Sequence, residues 1–137
     1  MNLGLREMLR SADDERPVLG SWALLLSVAA ADGTVTANEQ ATIERCVREM
    51  FRLDDDNLLR LRQTMRGVGS DPEDIDVFSR YVRDGAPVGL DDWLVDAVQD
   101  VAWADGRPDL HRVRAMLRVA EAVNFDVRQR KRLLKEP

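Results

Sequence analysis

The sequence has 137 residues, of which 45% are hydrophobic and 33% charged, and its net charge is −5. This composition is too apolar for a disordered chain and too charged for a membrane bundle, so we expect one globular domain over residues 1–137. The single cysteine, Cys46, and the single histidine, His111, exclude a disulfide and a Cys/His zinc site. The acidic balance disfavours binding to nucleic acid.

The start of the chain is amphipathic and includes Glu7, unlike the basic and then apolar start of a secretory signal. A cytoplasmic protein is therefore predicted. The longest uncharged run, residues 17–31, is shorter than the roughly 18 to 20 apolar residues that a bilayer crossing requires, so no membrane insertion is expected.

Apolar residues recur at helical spacing along the chain, which predicts an all-α bundle of seven or eight helices. A short first helix covers residues 3–9. The second helix, over 17–31, is apolar almost all round, as is typical of a helix enclosed by others. Asp32 and Gly33 end it, and a capping box from Thr36 to Glu39 begins the third helix, whose apolar face includes Cys46.

The second half of the chain continues the helical pattern. Acids at 54–56 begin a fourth helix, and Pro72 stands at the first position of a fifth. Residues 85–89 form a linker, and a sixth helix spans 90–104. A seventh helix carries Val113 to Val123, and Asp126 caps a short basic last helix. We expect the helices over 17–31 and 90–104 to be the most buried and to pack near each other.

One motif occurs twice. The segment Val28-Ala29-Ala30-Ala31-Asp32-Gly33 returns 73 residues later as Val101-Ala102-Trp103-Ala104-Asp105-Gly106. Each copy lies between an apolar helix and an amphipathic one. The chain is therefore predicted to contain a repeated helical hairpin, over residues 18–52 and again over 90–124.

This pattern resembles the TerB-like domain of tellurite-resistance and related stress proteins, over residues 18–127. The matching features are the two Ala-x-Ala-Asp-Gly helix ends, with Val35 and Glu39 after the first. The resemblance implies a compact all-helical domain whose acidic surface binds divalent cations and which acts through protein partners in stress responses. The second copy departs from the pattern at Pro108 and Arg112, where a Val and a second Glu would align.

Asp32 to Glu39 matches the last part of an EF-hand loop, with Gly33 at the turn and Glu39 at the bidentate position. Val28 and Ala30 stand where the first ligands of such a loop would be, so a full calcium loop is excluded. The predicted metal ligands are Asp32, Glu39 and, in the second copy, Asp105. They would hold Ca²⁺ or Mg²⁺ weakly, since these ions prefer oxygen ligands.

The alternative for the same residues is structural. Thr36 and Glu39 can form a capping box, which accounts for both residues without a metal. Asp32 and Asp105 lie at helix carboxyl ends, where a negative charge opposes the helix dipole. Either a bound cation or a nearby Arg can offset that charge. Eighteen of the 20 basic residues are Arg, so both interpretations stay open.

The sixth helix carries an acidic stripe, defined as Asp92, Asp96 and Asp100, spaced so that the three side chains point the same way. They are predicted to bind a protein partner with a basic surface. The alternative is that they face Arg residues of neighbouring helices, in which case the protein is a purely structural helical adaptor without metal.

No catalytic motif accompanies these acids. The chain has no Gly-rich phosphate loop, no nucleophile elbow and no His-Glu-x-x-His, so a non-enzymatic binding module is predicted. The lone His111 is expected on the surface. A basic stretch near the carboxyl end suits an acidic partner and lacks the interleaved aromatic residues of an RNA-binding surface; it comprises Arg128, Arg130, Lys131, Arg132 and Lys135.

Overall fold

A computed structural model describes residues 15–66, 72–84 and 88–137, and this part of the chain forms seven α-helices and no strand. The predicted all-α class is confirmed. The predicted helix over residues 3–9 and residues 85–87 of the predicted linker lie outside the described residues. The helices are α1 (Glu15–Ala29), α2 (Ala37–Phe51), α3 (Asp55–Thr64), α4 (Pro72–Arg83), α5 (Leu90–Ala102), α6 (Leu110–Val123) and α7 (Val127–Leu133).

Two helix ends differ from the prediction. Helix α1 ends at Ala29 rather than Ala31, and α5 ends at Ala102 rather than Ala104. The physical reason is the same in both places, because the chain tightens into three-residue turns before each Asp-Gly pair. Gly33 and Gly106 then adopt φ angles of 93° and 105°, which glycine tolerates best.

The two hairpins, α1–α2 and α5–α6, turn with matching backbone hydrogen bonds. The Gly33 N–H donates to the Ala30 carbonyl at 2.9 Å, and the Gly106 N–H donates to the Trp103 carbonyl, also at 2.9 Å. After each turn a side chain caps the next helix: Thr36 accepts the Glu39 N–H in a capping box, and Asp109 accepts the Arg112 N–H. The repeated motif therefore has a repeated geometry.

Helix α1 is the central element. It packs against α2, α4, α5 and α6, and its Leu19, Leu24 and Leu25 are fully buried. The expected packing of this helix against α5 is present. Although α1 is apolar nearly all round, no helix in the described part of the chain is long and apolar enough to cross a membrane.

Helices α1 and α4 approach closely at Gly20. A Cβ atom at this position would lie 2.7 Å from the Phe78 carbonyl oxygen, which is too close for any side chain. Cys46 lies in the same core, as predicted. The core thus spans both hairpins and α4, and it holds the two Asp-Gly corners in fixed relative positions.

Candidate functional site

The two Asp-Gly corners meet at one end of the bundle. Asp32 and Asp105 each follow the first helix of a hairpin, and Thr36 and Asp109 each cap the second helix. Side chains of one hairpin bind side chains of the other here. We refer to Asp32, Glu39, Asp105, Asp109 and Arg112 together as the Arg112 cluster.

Arg112 and Glu39 form a buried ion pair at the centre of this cluster. The Arg112 Nε donates to Glu39 Oε2 at 2.6 Å, and its Nη2 donates to Oε1 at 3.0 Å. Both residues are buried, at 8% and 1% relative exposure. Two parallel N–H···O bonds of this kind orient the guanidinium rigidly against the carboxylate.

The remaining guanidinium hydrogens bind acids of both hairpins and backbone carbonyls around the first corner. Nη1 of Arg112 donates to Asp32 Oδ2 at 3.0 Å and to Asp109 Oδ2 at 2.8 Å. Its Nη2 also approaches the carbonyl oxygens of Ala29 and Thr34, at 3.3 and 3.5 Å. The positive charge therefore lies against the carboxyl end of α1, where the helix dipole is negative.

Asp105 is held differently from the other acids. It accepts hydrogen bonds from the Thr36 hydroxyl at 2.6 Å and from the Asn38 side-chain amide at 2.9 Å. The second corner is thus tied to the start of α2, just as Arg112 ties the start of α6 to the first corner. The contacts run in both directions between the hairpins.

Every carboxylate oxygen in the cluster has a protein donor. Besides the bonds above, Asp32 Oδ1 accepts the Thr34 N–H at 3.0 Å, and Glu39 Oε1 accepts the Thr36 N–H at 3.1 Å. Asp109 Oδ1 accepts the Arg112 N–H at 2.9 Å. Each oxygen keeps a second lone pair, so a divalent ion would have to share these carboxylates with their donors and approach the positive charge of Arg112. The arrangement therefore suits the guanidinium of Arg112 better than a divalent metal ion.

The predicted metal ligands are therefore close together without sharing an open centre. Asp32 and Glu39 bind the same guanidinium, whereas Asp105 binds Thr36 and Asn38. In the described part of the chain, no three acidic, histidine or cysteine side chains are arranged to hold a metal. Cation binding by these residues stays a prediction.

The same contacts set the ionisation of the cluster. The hydrogen bond from Arg112 holds the pKa of Asp32 below its ordinary value of 3.8. The Thr36 hydroxyl, followed by the Asn38 amide, does the same for the pKa of Asp105. Hydrogen bonding to Glu39 raises the pKa of Arg112, so both aspartates and the guanidinium are charged at neutral pH.

The acidic stripe on α5 faces arginines of other helices. Asp92 lies 3.3 Å from Arg128 and 3.7 Å from Arg132, both on α7. Asp96 lies 3.2 Å from the Nε of Arg132. This Nε atom is buried and forms no hydrogen bond, so the contact is an ion pair only. Asp100 lies 3.6 Å from Arg45 on α2. All three acids are about half exposed, so these are surface ion pairs.

Gln129 strengthens the same contact between α5 and α7. Its side-chain amide donates to Asp91 at 2.9 Å and to Asp92 at 3.0 Å. The bond from Gln129 is the main reason that the pKa of Asp91 is lowered. Asp92 and Asp96 of the stripe therefore join α7 to α5, whereas Asp100 contacts α2. Binding of the stripe to a separate partner stays a prediction.

The family model described as tellurite resistance protein TerB matches residues 19–135. The chain belongs to the TerB family. This match covers nearly the whole chain and confirms the resemblance found in the sequence. No curated protein and no solved structure matches the chain.

Sequence reasoning missed the roles of two residues in this TerB domain. The sequence pattern marks Arg112 only as a departure from the second Glu, and it predicts no role for Asp109. His111 is exposed, as predicted. The 73-residue offset carried the signal, because it aligns Arg112 with Glu39. Opposite charges at equivalent positions of two adjacent hairpins indicate a cross-hairpin ion pair.

Proposed function

We propose that this TerB domain is a non-enzymatic helical interaction module whose fold needs no resident divalent cation. The observation that carries the proposal is the position of Arg112, whose guanidinium binds Asp32, Glu39 and Asp109 at once. Its role in a stress response of the tellurite-resistance type is proposed from family membership alone.

The non-enzymatic part of the proposal is supported by the state of the nucleophilic groups. Cys46 is buried, and burial raises the pKa of its thiol to about 11, which keeps it protonated and unreactive. The carboxylates of the Arg112 cluster are engaged by donors. Hydrogen bonding lowers the pKa values of Asp32 and Asp105, which makes their carboxylates weak bases, whereas a general base works best with a pKa near the operating pH.

The acidic stripe fits the structural alternative better than the partner-binding one. Asp92, Asp96 and Asp100 each lie near an Arg of another helix, so much of their charge is balanced within the domain. Exposed pairs of this kind contribute only about 0 to 1 kcal/mol each. A partner with a basic surface would have to compete with them, and salt-sensitive capture would be its signature.

Thermal unfolding with and without divalent ions tests the proposal. A ligand present at about 100 times its Kd adds about 2.7 kcal/mol, which corresponds to a rise of several degrees in Tm for a domain of this size. We expect Ca²⁺, Mg²⁺, Mn²⁺ and Zn²⁺ to leave the Tm at its value in chelator. A saturable rise with one ion, abolished by Asp32→Asn, would overturn the proposal and restore the cation-binding prediction.

A further inference from the structure

We propose that a groove between the second hairpin corner and α7 docks an acidic, leucine-bearing helical segment of a partner protein. This inference rests on the proposed function as an interaction module. The groove encloses a cavity of about 330 Å³. Its apolar lining comes from α6, α7 and the end of α5, namely Trp103, Pro108, Val113, Met116, Leu133 and Leu134.

The apolar surface extends beyond the cavity. Leu134, which lines it, is 54% exposed. On α6, Leu110 and Leu117 are also exposed, and they stand three residues before and four residues after Val113, on the same side of the helix. An elongated apolar strip beside a small cavity is the form of surface that accepts the apolar face of a helix.

The positive charge around the groove favours a partner helix that is acidic. Residues 107–137 contain nine basic and four acidic residues, in a chain whose net charge is −5. Arg107 lines the cavity. Lys131 and Lys135 stand within three residues of Leu134, which also lines it. None of these three bases is in an ion pair with another described residue, in contrast to the arginines that bind the acidic stripe. Among the residues that the structure describes, Glu136 is the one acid lining the cavity. A partner helix with acids flanking its apolar face complements this surface.

The probe is a fluorescein-labelled peptide of about 15 residues, close to the shortest length at which an isolated helix is stable. It contains leucine at i, i+3, i+4 and i+7, with glutamate and alanine elsewhere. Binding is measured by fluorescence polarisation at low and high salt. Because Trp103 lines the groove, a change in tryptophan emission on titration that is lost in Trp103→Phe provides a second readout at the site itself.

Variants locate the binding. Leu134→Asp is expected to lower the affinity for the peptide by about tenfold or more, the effect of losing an interface hot spot. The double variant with Lys131→Glu and Lys135→Glu should also weaken peptide binding, and the loss of affinity should be larger at low salt than at high salt. The matched controls are Leu59→Asp, since Leu59 is exposed to a similar degree on α3, and Arg83→Glu on α4. Both controls should bind like the wild type.

Three results would overturn the inference. The first is no binding by the wild type up to about 1 mM peptide, beyond which an interaction has little affinity to measure. The second is equal binding of a peptide in which lysine replaces each glutamate. The third is self-association that Leu134→Asp abolishes, which would make a second copy the occupant. Each of these results is independent of whether divalent ions raise the Tm. A failure of this inference is therefore distinguishable from a failure of the proposed function.

Discussion

Glu39 and Arg112 occupy equivalent positions in the two hairpins, 73 residues apart, and bind each other through two hydrogen bonds of 2.6 and 3.0 Å. Each is the third residue of its helix, following the caps Thr36 and Asp109. The repeat that makes the hairpins alike in backbone thus places opposite charges face to face. This ion pair joins the two hairpins together with the hydrogen bonds from Thr36 and Asn38 to Asp105.

Arg112→Gln should destabilise the domain strongly. Removing one partner of a buried ion pair costs about 3–5 kcal/mol, because the other charge is left buried without compensation. Arg114→Gln, on the exposed side of the same helix, is the control and should change the free energy of unfolding by less than about 0.5 kcal/mol. Urea unfolding of both variants measures the difference.

A double-mutant cycle separates the pair from general packing. The variant carrying both Glu39→Gln and Arg112→Gln should recover part of the stability that each single substitution loses, since neither charge is then left alone. Additive losses would mean that the two side chains contribute independently and that the ion pair is not the source of the effect.

Removing the guanidinium should also create cation sensitivity. In Arg112→Gln, the carboxylates of Asp32, Glu39 and Asp109 lose their shared counter-ion, and oxygen ligands of this type suit Ca²⁺ or Mg²⁺. We expect either ion to raise the Tm of this variant by several degrees at saturation while leaving the wild type unchanged. Equal responses of the two proteins would contradict the role assigned to Arg112.

Asp32→Asn distinguishes the two interpretations of the first corner. If Asp32 only opposed the helix dipole, the substitution would leave stability unchanged or slightly higher. The contact with Arg112 at 3.0 Å predicts the opposite, a lower Tm without any divalent ion. Asp84→Asn is the control, because it removes an exposed acid at the carboxyl end of α4 that has no ion pair with another described residue.

The domain should lose stability in acid through the corner aspartates. The pKa values of Asp32 and Asp105 are lowered from 3.8 by hydrogen bonding, so the folded state favours their charged forms. Their contribution is complete above the unfolded pKa and disappears as the pH falls below about 4 through the folded values. Replacing both by Asn should flatten the Tm profile there, and an unchanged slope would assign acid unfolding to other groups.

Leu25→Asp should prevent folding. Leu25 is fully buried in α1, and an unpaired carboxylate there cannot be solvated. Leu59→Asp introduces the same side chain at an exposed position of α3 and should fold normally. Circular dichroism compares the two. A soluble Leu25→Asp variant with a cooperative melting transition would contradict the central position of α1.

Local patterns predicted most of the fold. The capping box at Thr36 and the Asp-Gly ends at Gly33 and Gly106 satisfy backbone groups within a few residues of themselves, so their geometry follows from the neighbouring sequence. The burial of α1 followed in the same way, because a helix that is apolar on all sides is stable only when other helices surround it.

The roles of the acidic residues depended on contacts between segments that are distant in the sequence. Nothing near Asp32 in the sequence specifies which of eighteen arginines approaches it, and the energetic difference between an Arg partner and a cation arises only where the corners meet. The same holds for Asp100, whose neighbour Arg45 lies on α2. Local sequence sets where a charge stands on its helix, whereas the packing of the two hairpins decides which charge it faces, because electrostatic energies depend on distance and burial in three dimensions.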